Sequence, residues 1–135
     1  MNPDYVIVTP TYGRVAKYVN AASPLLERVW PGHPPIYFFS DENNLDAAAV
    51  IVSEKANWLD VLYQGLLGVR TAHPSLAHVF LMLDDHFPLR QCDEAMIASN
   101  YRAVVDNDLA CLSFVTYVWP WDMTEQIEYP DHMIR

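Results

Sequence analysis

His78-Val79-Phe80-Leu81-Met82-Leu83 is a continuous apolar run that stops abruptly at Asp84-Asp85-His86. A run this short, with no alternation of polar residues, predicts a strand buried on both faces rather than one. Such a strand needs covering layers above and below it, so the run directs the chain towards a layered α/β domain.

The rest of the sequence repeats the pattern. Tyr5-Val6-Ile7-Val8 predicts a buried first strand ending at Thr9-Pro10-Thr11, and Ile36-Tyr37-Phe38-Phe39 a second ending at the polar cluster Ser40 to Asn44. Ala49-Val50-Ile51-Val52 is a third, shorter strand, and Leu109 to Tyr117 a fifth after the run at 78–83. Helical spacing joins them. Val15, Tyr18, Val19 and Ala22 share one face after Gly13, with Ser23-Pro24 read as the start of a separate short helix to Trp30. Asn57 is an N-cap candidate for a helix whose inner face is Trp58, Leu62, Leu66 and Val69. Another helix runs from about Asp93 to Asp106 with Ile97, Tyr101, Val104 and Val105 inward. The expected fold is α/β, a mostly parallel sheet sandwiched by helices, in a single domain over residues 1–135.

Composition narrows the function. The chain has 135 residues, 8 basic and 17 acidic side chains and a net charge of −9, which argues against nucleic acid or an anionic membrane as the main partner. No apolar stretch approaches the roughly 18 residues of a membrane span, and the N-terminus lacks a basic-then-apolar leader, so a cytoplasmic location is expected. Cys92 and Cys111 fit no metal or redox spacing and read as buried thiols. The acidity is uneven: residues 1–70 hold five basic against seven acidic side chains, residues 71–135 three against ten. A cation-binding feature would be expected in the second half, but on charge alone a solvated acidic face is the preferred reading.

Ligands of parallel sheets gather at the carboxyl ends of strands. Here those ends carry Thr9-Pro10-Thr11-Tyr12-Gly13-Arg14, Ser40-Asp41-Glu42, Ser53-Glu54-Lys55 and Asp84-Asp85-His86. Carboxylates straight after an apolar strand are costly to bury without donors or a metal, and one or two of them beside substrate phosphates is how Mg²⁺ or Mn²⁺ is commonly held. His86 would add a nitrogen ligand and favour Mn²⁺. Each group also has an ordinary reading: Asp84-Asp85 as a turn or cap, His86 as a surface histidine, Tyr12 as core. Four such groups on one predicted edge raise the binding reading.

In order and spacing, residues 5–117 resemble the nucleotide-sugar-binding half of GT-A-fold glycosyltransferases, especially the family-2-like group. The resemblance rests on VIVTPTYGR (Val6 to Arg14), YFFSDE ending near Asp41, HVFLMLDDH, and LACLSFVTY. It implies that Thr9, Pro10, Thr11 and Tyr12 line a uracil or guanine and ribose pocket, with Asp41 accepting from the base N–H. It implies further that Asp84 faces ribose or sugar, while Asp85 ligates the Mn²⁺ or Mg²⁺ that bridges the diphosphate, with His86 as a further ligand where a strict DxD has its last carboxylate. Lys55 and Trp58 correspond loosely to additional nucleotide contacts.

Family members continue well past the fifth strand into an acceptor-binding region. Here residues 118–135 form only a partial acceptor-side or capping tail, so the chain is expected to be a truncated, donor-binding part. Asp122, Glu125 and Glu128 are candidates for an acceptor base, and Trp119-Pro120-Trp121 is either a sugar platform or a core cover. The expected ligand is a UDP- or GDP-linked sugar. A different class of function is a non-catalytic nucleotide- or metal-binding module that a second copy or a partner would complete. A receiver-like phosphoacceptor domain would need its acidic pair after the first strand, where Thr-Pro-Thr-Tyr stands. A glycine-rich dinucleotide loop is absent.

Overall fold

The computed structural model describes residues 5–47, 49–53, 57–84 and 90–109. The chain divides into two units, Met1–Cys92 and Asp93–Arg135. The first holds strands β1 (Tyr5–Pro10), β2 (Ile36–Ser40), β3 (Val50–Val52) and β4 (His78–Leu81), with helices α1 (Ala16–Val29) and α2 (Trp58–Ala72). The second holds α3 (Glu94–Asp106) among its described residues. The expected fifth strand, with Cys111, lies outside the described residues.

All strand pairings are parallel, in the order β3-β2-β1-β4. The chain steps from β1 through α1 to β2, then from β3 through α2 back across to β4. Right-handed crossovers travelling in opposite directions put their helices on opposite faces of a sheet. The packing agrees: Ala16 and Val19 of α1 cluster with Phe38, whereas Val61 and Val69 of α2 cluster with Val6, Val8 and Phe39. Consecutive residues Phe38 and Phe39 thus serve the two faces, as the strand's two-residue period requires. The α/β class and the parallel sheet flanked by helices are as the sequence predicts.

Several local expectations are corrected. Pro24 does not divide α1; one helix runs from Ala16 to Val29 with the proline inside. The Pro24 ring removes the amide that would bond the carbonyl four residues back, a cost of about 3 kcal/mol in a helix interior. Burial of Val19 before it and Leu26 after it, both against the core, holds the helix together. The helix stops at Trp30, and Gly32 takes a positive φ of 80° that an L side chain seldom adopts.

The second correction concerns the inner face of α2: Val69 is buried and Leu62 and Leu66 pack against the core as expected, but Trp58 is exposed and the fully buried line is Val61, Gly65 and Val69. Gly65 lies against the Phe39 ring, and a Cβ at Gly68 would stand 2.8 Å from Ile51 Cδ1. The helix approaches the sheet through its glycines, and Leu62 and Leu66 pack at its flank. Asn57 does cap it, accepting from the Asp60 amide at 2.9 Å.

The third is β4. Val79 and Leu81 on its α2 side are exposed, and His78 and Phe80 on the opposite side are half-buried, with Phe80 edge-on to Trp30 at 5.7 Å. Sequence continuity overstated the burial of this strand. Cys92 likewise is half-buried, its amide donating to the Val29 carbonyl.

α3 is capped by Asp93, which accepts from the Met96 amide at 3.0 Å. Its buried residues are Ile97, Asn100 and Val104, and Val105 is exposed, so the inner stripe is rotated from the expected one. Asp108 closes the helix at φ 51°, with Leu109 donating to Val104 and Asp108 to Val105, the paired bonds of a left-handed helix stop.

Candidate functional site

β1 lies between β2 and β4, and the chain's direction of travel reverses between β1 and β4. That reversal opens a crevice at the carboxyl edge where ligands of parallel sheets bind. Thr11 follows β1 and Asp84 lies three residues after β4. The Thr11 hydroxyl donates to Asp84 Oδ2 at 2.7 Å, joining residues 73 apart in sequence across that crevice. Thr11 is 2% exposed and Asp84 half-buried. The bond orients the carboxylate and occupies one of its two oxygens.

On the other side of β1, Asp41 follows β2. Asp41 Oδ1 accepts from the Gly13 amide at 2.7 Å, and Asn44 Nδ2 donates to the Gly13 carbonyl at 3.0 Å and to Glu42 Oε2 at 3.0 Å. Gly13 is buried beneath the Glu42 side chain, where an added Cβ would lie only 2.6 Å from Glu42 Cβ. The single 3-10 turn Gly13–Val15 that leads into α1 is therefore gripped at both of its polar backbone groups. Ladder bonds carry the strand ends into this edge: Thr11 N to Phe39 O at 2.8 Å, Met82 N to Val8 O at 2.9 Å and Ser53 N to Ser40 O at 2.8 Å.

A cleft of about 300 Å³ is lined by Val15, Tyr18, Val19 and Asp84. Among the described residues this lining is mostly apolar with one carboxylate, and the cleft's size is at the lower end of small-molecule sites. Tyr12 is half-buried with the Arg14 guanidinium 5.2 Å from its ring centre, so a cation sits beside the aromatic face.

The predicted residues separate into groups. Thr11, Tyr12, Asp41 and Asp84 come together at one edge. Pro10 ends β1 and is buried in the ladder opposite Phe39. Thr9 is fully buried on the α1 face beside Phe38, and its hydroxyl has no partner among the described residues. Trp58 begins α2. Asp85, His86, Lys55, Asp122, Glu125, Glu128 and the Trp119–Trp121 segment lie outside the described residues.

Sequence reasoning did not single out Asn44, Gly13 as a clamped backbone, or Val15 and Tyr18 as cleft walls. Asn44 stood within a polar cluster typical of any strand-ending loop. Only its contact with a residue 31 positions earlier distinguishes it.

The expected metal ligands, Asp85 and His86, lie outside the described residues, so the geometry bears on Asp84 alone. No cluster of three or more His, Cys, Asp or Glu occurs among the described residues, which exclude the adjoining Asp85 and His86. No helix of the described residues is long and apolar enough to cross a membrane. No protein-family model, curated protein or solved structure matches the chain.

Proposed function

We propose that this chain is the donor-binding part of a GT-A-type glycosyltransferase, holding a nucleoside-diphosphate sugar through a divalent cation for transfer to an acceptor. The observation that carries the reading is the Thr11–Asp84 hydrogen bond across the crevice between β1 and β4. A carboxylate fixed by one oxygen at a strand-end crevice has its other oxygen for hydroxyls or a cation, which suits a ribose or sugar carried on phosphates.

Within this reading, the Tyr12 ring offers the base a stacking face and the Arg14 charge lies beside it. Asp41, anchored by Gly13 through Oδ1, accepts from the base N–H through Oδ2. Asp84 takes ribose or sugar hydroxyls, and Asp85 with His86 holds Mn²⁺ or Mg²⁺. Such a cation, when bound, neutralises the charge that develops on the departing diphosphate. The net charge of −9 makes a cation the natural means of tolerating a diphosphate at an acidic edge.

The test is thermal unfolding with UDP and GDP, each with and without Mn²⁺. Ligand at a hundred times its Kd stabilises the folded state by about 2.7 kcal/mol, which a melting curve resolves readily. A metal-dependent rise in Tm with one nucleotide, removed by Asp85→Ala, is the expected result. A melting curve unchanged across the panel overturns the proposal.

A further inference from the structure

The outer face of α2 is unusual for a helix that covers a sheet. Such helices normally turn charged and polar residues to water. Here Leu59, Tyr63 and Leu67 recur at four-residue intervals on the side opposite Val61, Gly65 and Val69, and they are 69, 60 and 40% exposed. Three large apolar side chains form one stripe along the helix. Asp60 stands at the N-terminal end of this face and Arg70 at the C-terminal end. Among the described residues Arg70 makes no ion pair, the one salt bridge there being His33 with Glu27.

Except for Leu59, which would face the partner's Thr71 beyond the charged pair, the positions are symmetric about the level of Gly65. Asp60 and Arg70 lie five residues to either side of it, and Tyr63 and Leu67 two residues to either side. When two copies of α2 run antiparallel about a two-fold axis at that level, Asp60 meets the partner's Arg70 and Tyr63 meets the partner's Leu67. Each contact then occurs twice, as a two-fold interface demands. The result is an apolar centre with a charged pair at each end, the usual anatomy of a specific interface.

We infer that this face is a homodimer interface in which α2 pairs antiparallel with α2 of a second copy, the Asp60–Arg70 pairs fixing direction and register. It lies on the opposite side of α2 from the sheet and does not depend on what the carboxyl edge binds. A helix pair of this length buries less surface than a standard interface, so the dimer is expected to exchange with monomer rather than be permanent.

Sedimentation velocity with light scattering over a wide range of protein concentration tests this on the full chain. The expected result is a concentration-dependent rise towards twice the 15.5 kDa chain mass, weakened by added salt. Tyr63→Lys should shift the midpoint to at least tenfold higher concentration, and Arg70→Glu should do the same by facing a like charge. Both side chains are exposed, so far-UV circular dichroism should match the parent; Leu59→Lys is the substitute should either variant misfold. The double variant Asp60→Lys/Arg70→Glu should recover dimer relative to Arg70→Glu alone. A monomer at every concentration, a dimer indifferent to these changes, or a folded charge-swap variant no more dimeric than Arg70→Glu overturns the inference.

Discussion

Two carboxylates flank the carboxyl end of β1, and they are held in opposite ways. Asp41 is committed to the backbone: it grips the Gly13 amide while Asn44 grips the Gly13 carbonyl, and Glu42 closes over the space where a Cβ would be. Among the described residues Asp84 is held by one side chain, the Thr11 hydroxyl, and it lines a cleft. The difference lies in how far the fold has already engaged each carboxylate. The β2 side shapes the turn into α1, whereas the β4 side leaves a carboxylate along a cleft.

Replacing residues on the two sides should divide stability from binding. Asp41→Ala should have the largest effect on folding. It removes a charged partner of a buried amide, worth about 1.5–3 kcal/mol, and denaturant unfolding should show it as a lower midpoint with an unchanged slope. A loss below 0.5 kcal/mol would make Asp41 as loosely held as Asp84 and remove the contrast. Gly13→Ala should follow, since its Cβ requires Glu42 to move; overpacking of this kind costs about 1–3 kcal/mol. Pairing it with Glu42→Gly, which removes the Cβ as well as the carboxylate, should recover most of that loss, and no recovery would place the strain in the backbone turn instead.

Thr11→Val should cost least, about 1 kcal/mol for one hydrogen bond, yet it should loosen metal-dependent nucleotide binding by more than Asp41→Ala does. Calorimetric titration of UDP or GDP with Mn²⁺ into each variant makes that comparison. Equal losses of affinity would mean the two sides of β1 share one role.

Sequence alone anticipated a good part of this contrast. Apolar runs bounded by turn residues placed β1, β2 and β4, and it was their ends that marked Thr11, Asp41 and Asp84. The inward face of α2 was legible only in part: spacing marked Leu62, Leu66 and Val69, but periodicity counts large apolar side chains and passes over glycine. Gly65 and Gly68 reach the sheet by being small, so their role exists only against Phe39 and Ile51. Continuity misled for β4 as well: an unbroken apolar run reports what a strand can bury, not whether a neighbour covers it.

Local chemistry therefore determined the elements of this protein: strands where apolar residues cluster, caps at Asn57 and Asp93, a stop at Gly32, and carboxylates at strand ends. Those depend on backbone sterics and on neighbours within a few residues. Tertiary structure decided the rest. Strand order placed Thr11 beside Asp84 across 73 residues, folded Asn44 onto Gly13, and kept α1 unbroken through Pro24. Those outcomes depend on which surfaces meet after the chain crosses its own sheet.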